Sequence, residues 1–158
     1  MISGGLNLHH LYFLLIGAGW TICLSLIAFI GGGIGGGMIA LARISPLRWV
    51  RWLAIAYIQL IQGTPLLVVL FVCYFGISIL GFSLPGIIAA GVAMVIYVSA
   101  YLGEIWRGCI ESVAKTQWEA AECLALSRTQ RMRLVILSQA VRIATPSTVG
   151  FMVQIVKN

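Results

Sequence analysis

Few residues of this chain have types suited to catalysis. Its 158 residues hold four acids, two histidines and four cysteines. All four acids are glutamates, so no Ser/His/Asp triad exists, and no two carboxylates sit at a spacing that suits paired acid–base work. Cys23, Cys73, Cys109 and Cys123 form no C-x-x-C pair, and His9 and His10 lie at the other end of the sequence from Cys109 and Cys123. Neither a zinc site nor a disulfide framework follows from that pattern. Gly31, Gly33 and Gly36 satisfy G-x-G-x-x-G, yet the pattern lacks the strand and the βαβ unit that give it meaning, and no Gly-Lys-Ser/Thr follows it. The run reads better as helix packing. Gly31/Gly35, Gly32/Gly36 and Gly33/Gly37 are each four apart, the small-xxx-small spacing that lets two membrane helices approach closely. The chain is therefore expected to be no enzyme and to carry no metal or cofactor.

The elements that hold these residues follow from hydropathy. Hydrophobic residues make up 61% of the chain and charged ones 9%, with a mean hydropathy of +1.04. A soluble domain carries about 25% charged residues, so this is an integral membrane protein. No charge precedes Arg43, and none lies between Arg51 and Glu104. A span needs about 20 apolar residues, which gives spans near 12–41, 54–80 and 86–104, with a fourth starting near Ala140. Gly81-Phe82-Ser83-Leu84-Pro85-Gly86 is the turn between the second and third. The first run is too long, and too poor in flanking bases, for a cleaved leader.

The net charge of +6 comes from bases beside the spans, which points to membrane topology and not to nucleic acid. Arg43, Arg48 and Arg51 make the 43–51 loop cytoplasmic, while the 81–86 turn has no base. The N-terminus is then outside and residues 105–142 are inside. No ionisable residue lies in 12–41, 54–80 or 86–103, which counts against an ion-coupled transporter.

Residues 105–142 are too polar to span and too patterned for a plain linker. Thr116-Gln117-Trp118-Glu119 and Ser127-Arg128-Thr129-Gln130 both have capping-box form, which predicts helices starting at Gln117 and at Arg128. Met132, Val135, Ile136, Gln139, Ala140 and Ile143 share one face of the second. Upstream, Glu104, Arg107, Glu111 and Lys115 are spaced for a ladder of ion pairs on a helix leaving the membrane. Glu104 lies nearest the apolar span, where an acid is expected to be functional or firmly paired. The segment reads as a helix–turn–helix elbow at the membrane surface.

Ordered motifs then give a resemblance. Glu119-Ala120-Ala121, Leu124-Ala125-Leu126-Ser127 and Val135-Ile136-Leu137-Ser138-Gln139-Ala140 resemble the EAA loop of ABC importer permeases. Gly63-Thr64-Pro65-Leu66-Leu67, Ala100-Tyr101-Leu102-Gly103-Glu104-Ile105-Trp106-Arg107-Gly108 and Arg142-Ile143-Ala144-Thr145-Pro146 resemble the polar amino acid uptake branch of that family. The chain departs from the family where Gln62 replaces the usual Arg, Ala125 the usual Gly and Ser138 the usual Pro.

The resemblance implies an all-α integral membrane fold, the transmembrane domain of a type I ABC importer. Here that means three transmembrane helices, a cytoplasmic coupling helix and the start of a fourth span. Residues 1–158 would form a single permease domain, incomplete at its C-terminus because the family continues with further spans. By itself such a chain is not expected to complete a transport pathway. The resemblance further implies a bacterial inner membrane location and three partners: an ATP-binding subunit, a second permease subunit and a periplasmic amino-acid-binding protein. Glu119, Ala120, Ala121, Ala125 and Leu126 would couple to the ATPase. Gly63, Thr64, Pro65, Tyr101 and Glu104 would lie in the transmembrane core near the pathway. The rival reading is a non-transporting or ion-coupled small membrane protein whose elbow binds a cytoplasmic partner.

Overall fold

A computed structural model describes residues 8–79, 81 and 85–157. All of its regular elements are helices: α1 (Leu8–Arg43), α2 (Arg48–Gln62), α3 (Leu66–Ile79), α4 (Gly86–Glu111), α5 (Lys115–Cys123), α6 (Arg128–Gln130) and α7 (Leu137–Lys157). A π-helical turn, Arg131–Ile136, joins α6 to α7, so that Arg128–Lys157 runs as one rod. Among the described residues three helices, the rod included, are long and apolar enough to cross a membrane, and α2 with α3 adds a bent pair that could be a fourth crossing.

The centre of the fold is the pair α1 and α4. On α1 the residues turned inward are all small: Ser25, Ala28, Gly32, Gly36 and Ala40. They recur every three or four positions and so share one face. On α4 Gly32 and Gly36 meet Val98, Ser99 and Leu102, and Gly31 beside them meets Val95. A Cβ added at Gly36 would stand 2.8 Å from Leu102 Cβ, and one at Gly103 of α4 would stand 2.6 Å from Ile39. The glycines therefore set the helix separation, as the small-xxx-small spacing predicts. Gly33 is the exception, with nothing within 4 Å of its added Cβ. Ala28, Val98 and Leu102 continue this core onto α7 through Phe151 and Ile155.

The span expected over 54–80 is broken. It is two helices meeting at 104°. Pro65 has no N–H and disfavours helical backbone at Thr64, so the chain leaves the helix there. The freed carbonyls are then taken up locally: the Thr64 N–H donates to Ile61 O at 3.2 Å and Thr64 Oγ1 to Leu60 O at 2.6 Å. Pro146 has the same chemistry but lies inside α7 without ending it. In the predicted 81–86 turn, Gly81 is left-handed with φ +88, a conformation that favours glycine, while Phe82–Leu84 lie outside the described residues.

Candidate functional site

The elbow is a rigid handle built on a second core of Ile110, Val113, Ile136 and Ala140. Ile44 at the end of α1 and Trp118 of α5 pack against it. Val113 is 4% exposed and fixes where the chain turns. Its burial explains one correction. The helix begins at Lys115, two residues before the capping-box expectation, with Ala114 at its N-cap and no side-chain cap bond. Thr116 is already helical and so cannot cap. At Ser127 the expected box does form: Ser127 N–H donates to Gln130 Oε1 at 3.0 Å, and Gln130 N–H to Ser127 Oγ at 3.4 Å.

Between these helices α5 stops in a Schellman motif. The Leu126 N–H donates to Ala121 O at 3.3 Å and the Ala125 N–H to Glu122 O at 2.9 Å. Such a motif needs a left-handed residue, and that residue is Ala125 at φ +53. It alone among the described non-glycine residues has positive φ. The Cβ makes that conformation cost about 1–2 kcal/mol, which is the physical meaning of Ala where the resemblance expects Gly.

Along α5, Glu119 and Ala120 are exposed while Ala121 is 2% exposed. Leu126 is half-buried. Among the described residues Glu119 makes no ion pair, whereas its neighbour Glu122 pairs with Arg131 at 3.3 Å. Gln139 Nε2 donates to Gln117 Oε1 at 3.0 Å and ties α5 to α7, a pair that two separate sequence motifs did not suggest. Met132, Val135, Ile136, Gln139 and Ala140 face inward as expected, but Ile143 is exposed. The π turn over Arg131–Ile136 widens the helix by a residue, and the inward face continues through Ala144, Thr148, Phe151 and Ile155 instead.

The transmembrane residues do not form one cluster. Gly63 and Pro65 are exposed at the break, and Gln62 Nε2 reaches Ala100 O at 3.4 Å to hold that break against α4. Tyr57, one and a half turns earlier, donates to Ile96 O at 2.9 Å and bonds Ser99 Oγ at 2.8 Å. Tyr57 and Ser99 escaped the sequence reading. The signal available was that they are polar groups in charge-free spans, where hydrogen bonds between helices are favoured. Tyr101 turns the other way, stacked on Phe151 of α7 at 5.3 Å and bonded to Tyr97 at 3.2 Å. Glu104 faces α1. It pairs with Arg43 at 3.4 Å and with Arg107 at 2.6 Å, and Arg107 also pairs with Glu111. The expected ladder stops there, because α4 ends at Glu111 and Lys115 opens the next helix.

The arrangement defines a multi-pass helical membrane chain with a broken span and a stiff elbow at one end. Residues 31–158 match the family described as the inner membrane component of binding-protein-dependent transport systems. The chain is 40% identical over 141 residues to the probable amino-acid ABC transporter permease protein YckA of Bacillus subtilis, covering 89% of this chain and 62% of YckA. It is 38% identical to the probable glutamine ABC transporter permease protein GlnM of the same organism, covering 87% and 64%. Its fold superposes on a chain from the crystal structure of an amino acid ABC transporter with histidines, with TM-score 0.83, 35% identity, 87% of this chain and 64% of that one. The chain belongs to this family of inner-membrane transport components. It spans less than two thirds of the length of these relatives.

Proposed function

We propose that the chain is a permease subunit of an ATP-driven amino acid importer, with α5 as the element that couples it to a separate ATPase. One observation carries the reading. α5 offers Glu119 and Ala120 outward while Trp118 packs on the core of Ile110, Val113, Ile136 and Ala140 and the Gln117–Gln139 bond ties it to α7. A push on that exposed face moves the helix as a body and passes to the transmembrane helices. Small exposed residues suit insertion of a short helix into a groove of the ATPase. Ala125 and Leu126 hold the angle at which it is offered. Bond-breaking chemistry belongs to the ATPase, and nothing on this chain binds nucleotide in the reading.

The pathway side rests on the break at Gly63-Thr64-Pro65. Irregular backbone is not tolerated against lipid, so an exposed break must be covered by another subunit or line a water-filled route. A second permease subunit across that face satisfies the requirement. Tyr101 and Glu104 act behind it, as supports of α4 against α7 and α1. The elbow end carries Arg43, Arg48, Arg51, Arg107 and Lys115, which makes it cytoplasmic and the N-terminus periplasmic. A periplasmic amino-acid-binding protein delivers substrate to the opposite end.

The experiment is co-purification of a co-expressed ATPase subunit with wild type and Glu119→Arg. Association is expected to be lost in the variant with helix content unchanged, because Glu119 is exposed and makes no ion pair among the described residues. Unchanged association, together with unchanged uptake by a full-length version, overturns the coupling role.

A further inference from the structure

The first two turns of α2 carry a surface that neither the elbow nor the broken span uses. Trp49 is 84% exposed, Trp52 64% and Leu53 72%. Trp49, Leu53, Ala56 and Leu60 follow the spacing of one helix face, with Trp52 at its edge. Arg48 and Arg51 occupy the first turn on the Trp52 side, and both are exposed. Among the described residues neither guanidinium has an ion-pair partner. Arg43, the third base of this loop, is already neutralised by Glu104. No acid precedes Glu104 in the sequence, so the patch is left with two uncompensated positive charges.

The order along the helix is what assigns the occupant. Cations and indoles alternate over the first five residues, Arg48, Trp49, Arg51 and Trp52, and an apolar stripe of Leu53, Ala56 and Leu60 follows. A mixed basic and aromatic band followed by an aliphatic stripe matches a bilayer leaflet from its interface inward, with arginine and tryptophan at the phosphates and the headgroup junction and aliphatic residues in the hydrocarbon. An acidic protein surface would satisfy the arginines alone, whereas a lipid covers the arginines, the exposed indoles and the stripe of Leu53, Ala56 and Leu60 together. We infer that Arg48, Arg51, Trp49 and Trp52 form a binding site for an anionic phospholipid headgroup. It lies at the elbow end of the molecule, since Arg43 of the same loop touches Glu104 and Ile44 packs into the elbow core. The site would tie lipid composition to the position of the half-span that leads to the break. The inference does not depend on the permease reading.

The test uses the 158-residue chain in nanodiscs containing phosphatidylcholine and phosphatidylglycerol, with the lipids retained after gentle extraction counted by native mass spectrometry. Wild type is expected to retain phosphatidylglycerol in preference, less so at high salt. Arg48→Gln with Arg51→Gln is expected to weaken that preference about thirtyfold, on a contribution of about 1 kcal/mol per surface arginine. Arg48→Lys with Arg51→Lys keeps most of it, and Arg128→Gln with Arg133→Gln, an equal change in charge on the elbow, keeps all of it. Equal retention of the two lipids by wild type overturns the site, as does an equal loss in the elbow variant. So does a lipid preference that survives in the Arg48/Arg51 glutamine variant while association with a co-expressed ATPase subunit is lost, which would make the patch a protein contact.

Discussion

The α1–α4 pair and the elbow solve the same problem, holding two helices in fixed relation, by opposite means. In the membrane pair the contact is made by what is missing. Gly32, Gly36 and Gly103 have no side chain, and the backbones close until van der Waals contact is reached. In the elbow the contact is made by added groups: a capping box at Ser127, the Gln117–Gln139 bond, the Glu122–Arg131 pair and a buried cluster under Trp118. The difference follows from solvent. Lipid gives no hydrophobic drive between apolar helices, so close packing must supply the attraction. At the surface, water competes for every polar group, and several weak bonds must act together to keep one angle.

The sharpest way to break that comparison is one substitution made at two neighbouring glycines. Gly36→Ala places a Cβ 2.8 Å from Leu102 Cβ, which cannot move without its helix. It is expected to destabilise the chain by about 2 kcal/mol through overpacking. Gly33→Ala meets nothing within 4 Å and is expected to stabilise by just under about 1 kcal/mol, because alanine favours helix more than glycine does. Thermal unfolding in detergent should show the opposite signs. Two variants of the same sign would mean that separation of α1 and α4 is not set by the glycines.

In the elbow the largest expected change is a gain. Ala125→Gly removes the left-handed strain at φ +53 and should raise stability by about 1 kcal/mol. A fall on unfolding would show that the alanine methyl makes contacts worth more than its strain. The smallest effect is Ser127→Ala. Its cap bond is long, 3.4 Å, so the loss should lie near the low end of the capping range, about 0.5 kcal/mol. Amide hydrogen exchange at Gln130 is the sensitive measurement, and unchanged protection there would leave the cap without a role.

Legibility in the sequence tracked the distance over which each feature is decided. The Ser127 box is set within four residues and is seen as read; the glycine packing is seen at Gly31, Gly32, Gly35 and Gly36 but not at Gly33, and the ladder at Glu104, Arg107 and Glu111 but not at Lys115. Thr116 carried the same local signal as Ser127 and failed, because Val113 and Trp118 anchor in the elbow core and start α5 earlier. Ile143 fell off its predicted face because the π turn shifted the phase upstream. Arg43 and Glu104 are 61 positions apart, and no spacing rule reaches that far.

What the sequence determined alone is the class. Long uncharged stretches can only be membrane helices, since the bilayer leaves no other way to satisfy the backbone, and the motif set marks the family. What only the tertiary structure decided is where those helices bend and what they touch. Pro65 and Pro146 are the same residue in similarly apolar runs, yet one separates two helices at 104° and the other lies inside a continuous rod. Each proline removes one backbone donor. The outcome depends on the bonds offered around it: Gln62 to Ala100 and Thr64 to Leu60 hold the break open, while α7 runs on past Pro146 with Phe151 and Ile155 seated in the α1–α4 core.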